Sequence, residues 1–543
     1  MSAPTLRVAA LQFGNGTDVD TNLHTVLRMI DTAAAEHPDV MVLPEFCNHL
    51  SIYDDGRHAW DVAIDLGTPA EPGPWVEAVA QRAARHQCWI QLNCTVRRAG
   101  PSTSREPAPG RITNTNLVFA PSGELVAAND KTVLMGAEGD YLSAADAPAQ
   151  LIEAPFAAMG TYACMDGVIA EVPRGLVLRG ATLLLNSLNS FALDEASLHV
   201  PVRAAENKAW VVACCKTGPL LPPEKVAMFS QAMQVPGEFL SGAGESQIVA
   251  PDGTVVAMGP RHGEAVVVAD IDLSLALDKR RPDGTDIIGS RRPEVYVPLS
   301  KPTPMVDDHA RAEAVTAAVA RDARGIGSAQ LTVLGELAIT PGDVDGIVAS
   351  LGPGQVVVSS MAVDGAHLGV VIDHTGVIGA QTQIHRSERH AGWHDVLGDG
   401  IVPVDLPWGR LAVIVGDDSI FPETARLAAL ANCDVLAVPF TQLESWETAL
   451  GLIERAAENR VCLVAANSAG ESLIVTLPPD FTLWAPSRER VFDGTINLPD
   501  VTRGPAPLSG VIHPSRSVNR QISKGTNLVD SRPWQLAGAL TEG

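Results

Sequence analysis

A repeat of roughly 250 residues constrains the fold of this chain more than any other feature. The segment Arg203-Ala-Ala-Glu-Asn-Lys-Ala-Trp-Val-Val-Ala recurs as Arg455-Ala-Ala-Glu-Asn-Arg-Val-Cys-Leu-Val-Ala. In the same order, Gly244-Glu-Ser-Gln-Ile-Val recurs as Gly470-Glu-Ser-Leu-Ile-Val. Solenoid units are far shorter, at roughly 20–50 residues, and 543 residues exceed one ordinary core. We therefore predict two tandem copies of one domain.

The two copies differ where the first carries a candidate nucleophile. Cys164 lies in Gly160-Thr-Tyr-Ala-Cys-Met-Asp-Gly, and the same frame recurs as Val415-Gly-Asp-Asp, which puts Gly416 in the cysteine position. Charged residues around it keep their offsets: Asp166 matches Asp418, Glu171 matches Glu423, and Arg174 matches Arg426. The second copy has therefore kept the frame and lost the thiol.

Composition places the domain boundaries. We predict a first domain over residues 1–297 and a proline-rich connector over 298–309. The second copy is expected over 310–503. After that the chain is rich in Pro, Gly and Ser, so residues 504–543 are predicted to form a tail docked through Trp534.

Hydrophobic patterning predicts an α/β fold. Leu6-Arg-Val-Ala-Ala-Leu and Val40-Met-Val-Leu are typical of strands, and residues 22–36 between them are typical of an amphipathic helix. Ala181-Thr-Leu-Leu-Leu is a continuous apolar run, as expected of a strand buried on both faces. Strands and helices alternate in this way through both copies.

Charge and cysteine usage limit the partners and the compartment. A net charge of −24 argues against a nucleic-acid or anionic-membrane partner, because either requires clustered Lys and Arg. None of the eight cysteines forms a Cys-x-x-Cys pair, and most lie in apolar runs, so reduced buried thiols are expected. The N-terminus has no apolar core of signal-peptide length. We predict a soluble cytoplasmic protein with a small-molecule substrate, and a homo-oligomer stays open.

Four residues of the first copy form a candidate catalytic set. Glu45 and Cys164 each close a predicted strand, Lys131 follows Gly123-Glu-Leu-Val-Ala-Ala-Asn-Asp, and Glu138 comes seven residues later. Strand ends in open α/β sheets converge on one crevice. Taken singly, each residue is more often structural: a buried Cys is usually inert and a lone Lys is usually solvated. Their combination and order carry the prediction.

This ordered set resembles the nitrilase, or carbon–nitrogen hydrolase, superfamily. The matching segments are Val42-Leu-Pro-Glu-Phe, Asp130-Lys-Thr-Val-Leu, Ala163-Cys-Met-Asp, Arg203-Ala-Ala-Glu-Asn and Pro251-Asp-Gly. The resemblance covers residues 5–275, with Ala170 before Glu171 where the family often has Pro. It implies an α-β-β-α sandwich. It also implies that the second copy packs against the first as an intramolecular pseudo-dimer, because family members pair face to face.

The resemblance also assigns roles. Cys164 would be the nucleophile, Glu45 the general base, Lys131 the positive charge at the developing oxyanion, and Glu138 the residue that holds the lysine and the substrate. The reaction would release ammonia or an amine and leave a thioester for water to hydrolyse; a nitrile would pass through a thioimidate. No cofactor and no metal are expected.

Further residues are predicted to line the substrate pocket. Asn186 and Ser187 end the strand after the cysteine, and we take them with Asp166 as substrate-binding residues, although turn chemistry explains the pair equally well.

The second copy is predicted to be degenerate. Glu336 keeps the base position, but the lysine position falls near Gln383–His385, and no lysine occurs between Lys301 and Lys524. The second copy also contains His385, His390 and His394, which suggest a metal site as a weak alternative. Only His390 and His394 have the i, i+4 spacing that places two ligands on one helical face. We expect these histidines in a polar surface turn.

Several functions remain open. Met165-Asp after the cysteine favours a linear amide over a nitrile. Nitrilases tend to carry Trp-Glu at these positions, whereas amidase-type members more often carry an aromatic residue and Asp. The Asp fits the amidase pattern, and the Met departs from both patterns. A nitrilase or an N-carbamoyl hydrolase would use the same site, and transfer of the acyl group to an amine would use the same thioester. A non-catalytic scaffold or binding protein is the alternative from another class. A glutamine-fed ammonia donor is disfavoured, because no nucleotide-binding domain accompanies the hydrolase.

Overall fold

The computed structural model describes residues 5–480, 482–484 and 492–542. The strands of the first half are β1 Thr5–Gln12, β2 Val40–Val42, β3 Trp89–Arg98, β4 Arg111–Phe119, β5 Leu125–Asp130, β6 Ile152–Glu153, β7 Ala158–Ala163, β8 Leu183–Leu188, β9 Trp210–Cys215, β10 Thr217–Pro219, β11 Ser241–Ala243, β12 Gln247–Val249, β13 Val255–Met258 and β14 Ala265–Asp272. Its α-helices are α1 Val19–Ala33, α2 Gly56–Val62, α3 Pro74–His86, α4 Glu138–Tyr141, α5 Met165–Val168, α6 Glu171–Leu178, α7 Val200–Asn207 and α8 Pro223–Met233.

The second half repeats this series of elements. Its strands are β15 Val315–Ala320, β16 Leu331–Leu334, β17 Val356–Val363, β18 Ala366–Asp373, β19 Gly376–Thr382, β20 Val404–Leu406, β21 Gly409–Val413, β22 Val435–Phe440, β23 Cys462–Asn467, β24 Ser472–Thr476, β25 Asp500–Gly504, β26 Leu508–Ile512, β27 Gln521–Ser523 and β28 Thr526–Asn527. Its α-helices are α9 Val344–Ser350, α10 Pro422–Leu430, α11 Leu452–Asn459 and α12 Gly538–Thr541. A π-helical turn precedes α7 at Glu195–His199 and α11 at Glu447–Gly451.

Strand order confirms the duplication. Within the described residues each half holds two six-stranded sheets. In the first half these are sheet A, β14-β1-β2-β3-β4-β5, and sheet B, β13-β12-β9-β8-β7-β6. In the second half sheet C runs β26-β15-β16-β17-β18-β19, and sheet D runs β25-β24-β23-β22-β21-β20. Each strand of sheets C and D therefore has a counterpart in sheets A and B, and β21 corresponds to β7.

Alternating side chains explain the layers of the first half. On β1, Val8 packs inward on the core between the sheets, which includes Leu185 of β8. Ala9 points to the other face and packs on α1, whose residues Val26 and Ile30 share one helical stripe. Sheets A and B thus bury their inner faces against each other and their outer faces under helices. This is the predicted α-β-β-α sandwich, present twice.

The two halves meet through a reciprocal set of buried ion pairs. Arg174 of α6 lies 2.9 Å from Glu423 of α10, and Arg426 of α10 lies 2.8 Å from Glu171 of α6. The repeated Arg-Ala-Ala-Glu-Asn motif does the same between α7 and α11: Arg203 bonds Glu454 and Glu458, and Arg455 bonds Glu206. Such exchange of equivalent partners is the signature of a two-fold interface. The predicted intramolecular pseudo-dimer is confirmed.

The prediction of a tail from residue 504 is wrong. Strand β26 pairs antiparallel with β15 and completes sheet C, as β14 completes sheet A by pairing with β1. The strand is short and flanked by Pro and Gly, so composition hid it. Beyond it, Leu528 and Leu540 are buried in a cluster with Val133 and Met165 of the first half, whereas Trp534 is half-buried. The C-terminal segment therefore completes a sheet of the second half and also packs against the first half.

Across 5–480, 482–484 and 492–542, no helix combines the length and apolar character needed to cross a membrane.

Candidate active site

Cys164 lies at a strained turn between β7 and α5. Its φ is 48°, in the left-handed region that non-glycine residues rarely adopt. Its backbone N–H donates to the carbonyl of Ser187 at 3.0 Å, which fixes the turn to β8. Strain of this kind concentrates at functional sites. The counterpart Gly416 has a φ of 53°, so the second half keeps the turn with the residue that adopts it most readily.

Glu45, Lys131 and Glu138 form a buried ion-pair chain beside the cysteine. The Lys131 Nζ lies 2.8 Å from Glu45 Oε1 and 2.8 Å from Glu138 Oε2. The side chains of Lys131 and Glu45 are fully buried. Asn114 of β4 donates to the same Glu45 oxygen at 2.6 Å. The residues come from the ends of β2 and β5 and from α4, and the fold brings them together as predicted.

Electrostatics set the resting protonation states. Burial disfavours the charged form of Lys131, but Glu138 and Glu45 outweigh it and hold the pKa of the ammonium well above its ordinary value. Burial raises the pKa of the Glu138 carboxyl to about 7, with Lys131 opposing and Glu45 reinforcing the rise. Burial, and next the charge of Glu45, raise the pKa of the Cys164 thiol well above its usual range, against the lowering effect of Lys131. The thiol is therefore protonated at rest and needs an acceptor for its proton.

Glu45 has the atom for that task. Its Oε1 accepts from Lys131 and Asn114, whereas its buried Oε2 has no hydrogen-bond partner in the described part of the chain. Buried polar atoms are nearly always paired, so a free carboxylate oxygen beside a thiol suits proton exchange with a bound substrate.

Cys164 opens onto a cavity of about 370 Å³. The wall is mainly apolar, and of the eight cysteines, all within the described residues, Cys164 is the one that lines it. Glu138 and Tyr53 also line this cavity. The second half contributes part of the wall: Leu483, Trp484, Ile496, Asn497, Ile522, Ser523 and Lys524. The site is thus completed by residues more than 300 positions away in sequence.

Asn186, Ser187 and Asp166 are not among the residues that line the cavity, and their side-chain oxygens contact the framework, so substrate binding by them stays a prediction. Asn186 Oδ1 accepts from the Cys164 backbone N–H at 3.2 Å. Ser187 Oγ donates to the carbonyl of Leu43 at 2.7 Å and so joins the two sheets. Asp166 accepts from the backbone N–H of Val133 at 2.7 Å and fixes the segment that follows Lys131.

Glu195 was missed by the sequence reasoning. It begins the π-helical turn before α7, is 7% exposed and lines the cavity with Cys164. It lies in Asp194-Glu-Ala-Ser, which matches no motif of the family resemblance. Asn114 was missed for the same reason, because a lone Asn within a strand carries no signal.

The corresponding site of the second half is filled. Glu336 is present at the base position. The Arg389 guanidinium donates to both Glu336 carboxylate oxygens, at 2.6 and 2.8 Å, and also to Asp417. Gln383 follows β19 as Lys131 follows β5, which agrees with the predicted lysine position. A Cβ on Gly416 would lie 2.5 Å from Glu336 Oε1. The space that a cysteine would need is therefore occupied.

The predicted surface turn of histidines is wrong. His385, His390 and His394 are all buried. His385 stacks on Phe421 and donates from Nδ1 to Asp418 Oδ1 at 2.7 Å, while the other two pack beside His367. Glu336, His367 and His390 bring ligand atoms within 4.8 Å of one another. Because Arg389 occupies both oxygens of Glu336 and His367 bonds Gln383 and Ser360, the donor set does not fit a metal ion.

Comparison with known proteins agrees with this geometry. The family model for carbon-nitrogen hydrolases matches residues 7–281. A nitrilase of Pyrococcus abyssi is 25% identical over 51% of this chain and 93% of its own length. An N-carbamoylputrescine amidase of Arabidopsis thaliana is 23% identical over 53% of this chain and 93% of its own. A bovine omega-amidase is 25% identical over 54% and 97%.

Solved structures match about half of the chain. An amidase from Nesterenkonia sp. aligns with 52% of this chain and 95% of its own, at 17% identity and a TM-score of 0.39. A nitrilase-superfamily protein of Saccharomyces cerevisiae aligns with 51% and 95%, at 22% identity and a TM-score of 0.41. Since the family model covers just over half of the 543 residues, this chain belongs to the carbon-nitrogen hydrolase family.

Proposed function

We propose that the first half hydrolyses a linear amide through a thioester on Cys164, with release of ammonia or an amine. The observation that carries the proposal is the position of Cys164: a strained turn in the wall of a cavity of about 370 Å³, beside a buried Lys131 that forms ion pairs with two carboxylates. The names of the relatives, which include an omega-amidase and an N-carbamoylputrescine amidase, support attack on a carbon–nitrogen bond.

The proposed chemistry follows from the free oxygen of Glu45. As the Cys164 sulfur attacks the amide carbon, its proton passes to Glu45 Oε2 and the carbonyl oxygen becomes an oxyanion. Lys131, which is charged and fixed, stabilises that oxyanion. Glu45 then protonates the nitrogen as the C–N bond breaks. Water attacks the thioester, Glu45 takes its proton, and the acid leaves with the thiol restored.

A structural role for the second half accompanies this proposal. We assign residues up to 297 to the catalytic domain and 298–309 to the connector, and extend the degenerate domain through β26. The hydroxyl of Thr526 accepts from the Gly136 N–H at 2.7 Å and donates to the Leu134 carbonyl at 3.0 Å. This contact supports the loop that leads to Glu138. The second half therefore completes the site of the first instead of running a reaction of its own.

Ammonia release tests the proposal. We would measure it for the wild-type protein with panels of linear amides, nitriles and N-carbamoyl compounds. Cys164→Ala is the test variant, and Cys433→Ala, a buried thiol of the second half outside the cavity, is the matched control. We expect turnover of amides, near-wild-type turnover by the control and none by Cys164→Ala. Wild-type rates in Cys164→Ala would refute it, and turnover confined to nitriles would reassign the substrate.

A further inference from the structure

Glu195 presents an unpaired carboxylate to the cavity. Its Oε2 is buried and has no hydrogen-bond partner in the described residues, and the side chain forms no ion pair there. It lies close enough to Cys164 that its charge is among the causes that raise the pKa of the thiol. The catalytic steps proposed above use Glu45, Lys131 and Cys164 and leave Glu195 without a role.

The cationic side chains nearest to Glu195 already form ion pairs with other carboxylates. His199, on the same turn, bonds Glu454 at 2.9 Å and lies 3.8 Å from Asp194. Lys131 is held between Glu45 and Glu138. The groups that face Glu195 therefore leave it uncompensated, and burial raises the pKa of its carboxyl to about 7, with His199 opposing and Asp194 reinforcing the rise. A buried acid without a partner costs free energy, which a ligand with N–H donors would offset.

The rest of the wall defines the body of such a ligand. The large side chains across the cavity are apolar: Phe191, Leu221, Phe229, Met233, Leu240 and Trp484. They suit an aliphatic or aromatic body and supply no second charge. Cys164 and Glu195 both line this mainly apolar cavity, as does Lys524, whose Nζ bonds Asp140 at 3.1 Å.

We propose that Glu195 is a specificity-determining residue that accepts hydrogen bonds from an ammonium group, so that the preferred substrates are amides with an apolar body and an amine near the scissile bond. This inference rests on the proposed amidase function. Formation of a charge-assisted hydrogen bond in a mainly apolar cavity changes affinity by about 10- to 100-fold.

The test compares substrates that differ in one group. β-Alaninamide and γ-aminobutyramide are matched with butanamide and pentanamide, in which a methyl replaces the ammonium. We would measure kcat and KM for the wild type, Glu195→Gln, and the control Glu224→Gln, which removes an exposed carboxylate of α8 outside the cavity.

We expect the wild type to prefer the amino amides by at least about tenfold in kcat/KM. Glu195→Gln should lose that preference mainly through KM, with little change for butanamide or pentanamide, and its melting temperature should not fall, because no intramolecular partner is lost. Equal losses on both substrate classes, or an unchanged preference, would overturn the proposal.

A binding measurement separates this inference from the proposed function. In Cys164→Ala protein, calorimetry with γ-aminobutyramide and pentanamide reports recognition without turnover. Tighter binding of the amino amide, abolished by adding Glu195→Gln, supports the inference even if the wild type hydrolyses no amide, in which case the proposed function alone fails. Equal affinity for the two ligands overturns the inference even if amides are hydrolysed.

Discussion

Replacing Glu423 by Gln should strongly destabilise the contact between the two halves. Glu423 lies 2.9 Å from both Arg174 and Arg291, and its side chain is 1% exposed. Burial alone would raise the pKa of its carboxyl, but the two guanidinium groups outweigh burial and lower it from 4.5 to about 2. At about 1.4 kcal/mol per pH unit, this corresponds to roughly 3 kcal/mol in favour of the folded state at neutral pH. Glu423→Gln should lose about that amount and leave two buried cations without their counterion.

The pH dependence gives this prediction a second readout. Because folding lowers the pKa, the stabilisation is present above 4.5 and is lost as the pH falls towards about 2. Urea denaturation followed by tryptophan fluorescence should therefore show a large difference at pH 7 that shrinks below about pH 4.5. Asp61→Asn, which breaks the exposed Arg57–Asp61 pair, is the control and should change stability little, because solvent screens that pair. A Glu423→Gln cost no larger than this control, or one constant with pH, would refute the reasoning.

Three further predictions concern the catalytic site and its support. A chain ended after residue 297 should be insoluble or inactive, because it exposes the buried Arg174 and Arg203 and loses the Trp484 side of the cavity; a stable, fully active fragment would contradict this. Gly416→Cys in Cys164→Ala protein should restore no hydrolysis and should lower stability by about 1–3 kcal/mol, because the new Cβ would lie 2.5 Å from Glu336; urea denaturation and ammonia release measure both. Because the pKa of Glu138 is about 7, kcat/KM should fall below about pH 7 as the carboxyl takes up a proton and loosens its hold on Lys131, and a profile flat to pH 5 would disprove that role.

The duplicated frame made most of the fold predictable. The two copies share the strand order of their large sheets, so the sequence match of Cys164 with Gly416 locates equivalent strand ends. The catalytic set was predictable for the same reason, because Glu45, Lys131 and Glu138 follow strands that converge on one edge of the sandwich.

The remaining features depend on side-chain reach and on contacts distant in sequence. Arg389 lies six residues beyond Gln383, the position that corresponds to the lysine. Its contact with Glu336 depends on the length of its side chain, which the sequence position does not reveal. Glu195 faces the cavity because a π-helical turn aims it there, and periodicity does not signal such a turn. Asn186 and Ser187 lie at the predicted strand end, yet Asn186 Oδ1 and Ser187 Oγ each form a hydrogen bond to the backbone.

The central claim is that Cys164 carries the acyl group. Mass spectrometry of wild-type and Glu45→Gln protein after incubation with amide and nitrile panels tests it directly, because loss of Glu45 removes the base that activates the deacylating water. We predict a mass increment equal to the acyl group on the peptide that contains Cys164, trapped by acid quenching during wild-type turnover. In Glu45→Gln the adduct should form more slowly and persist longer, because the variant lacks the base for both acylation and deacylation. Turnover by the wild type with no adduct on Cys164 in either protein, or with the adduct on another of the eight cysteines, would contradict the account.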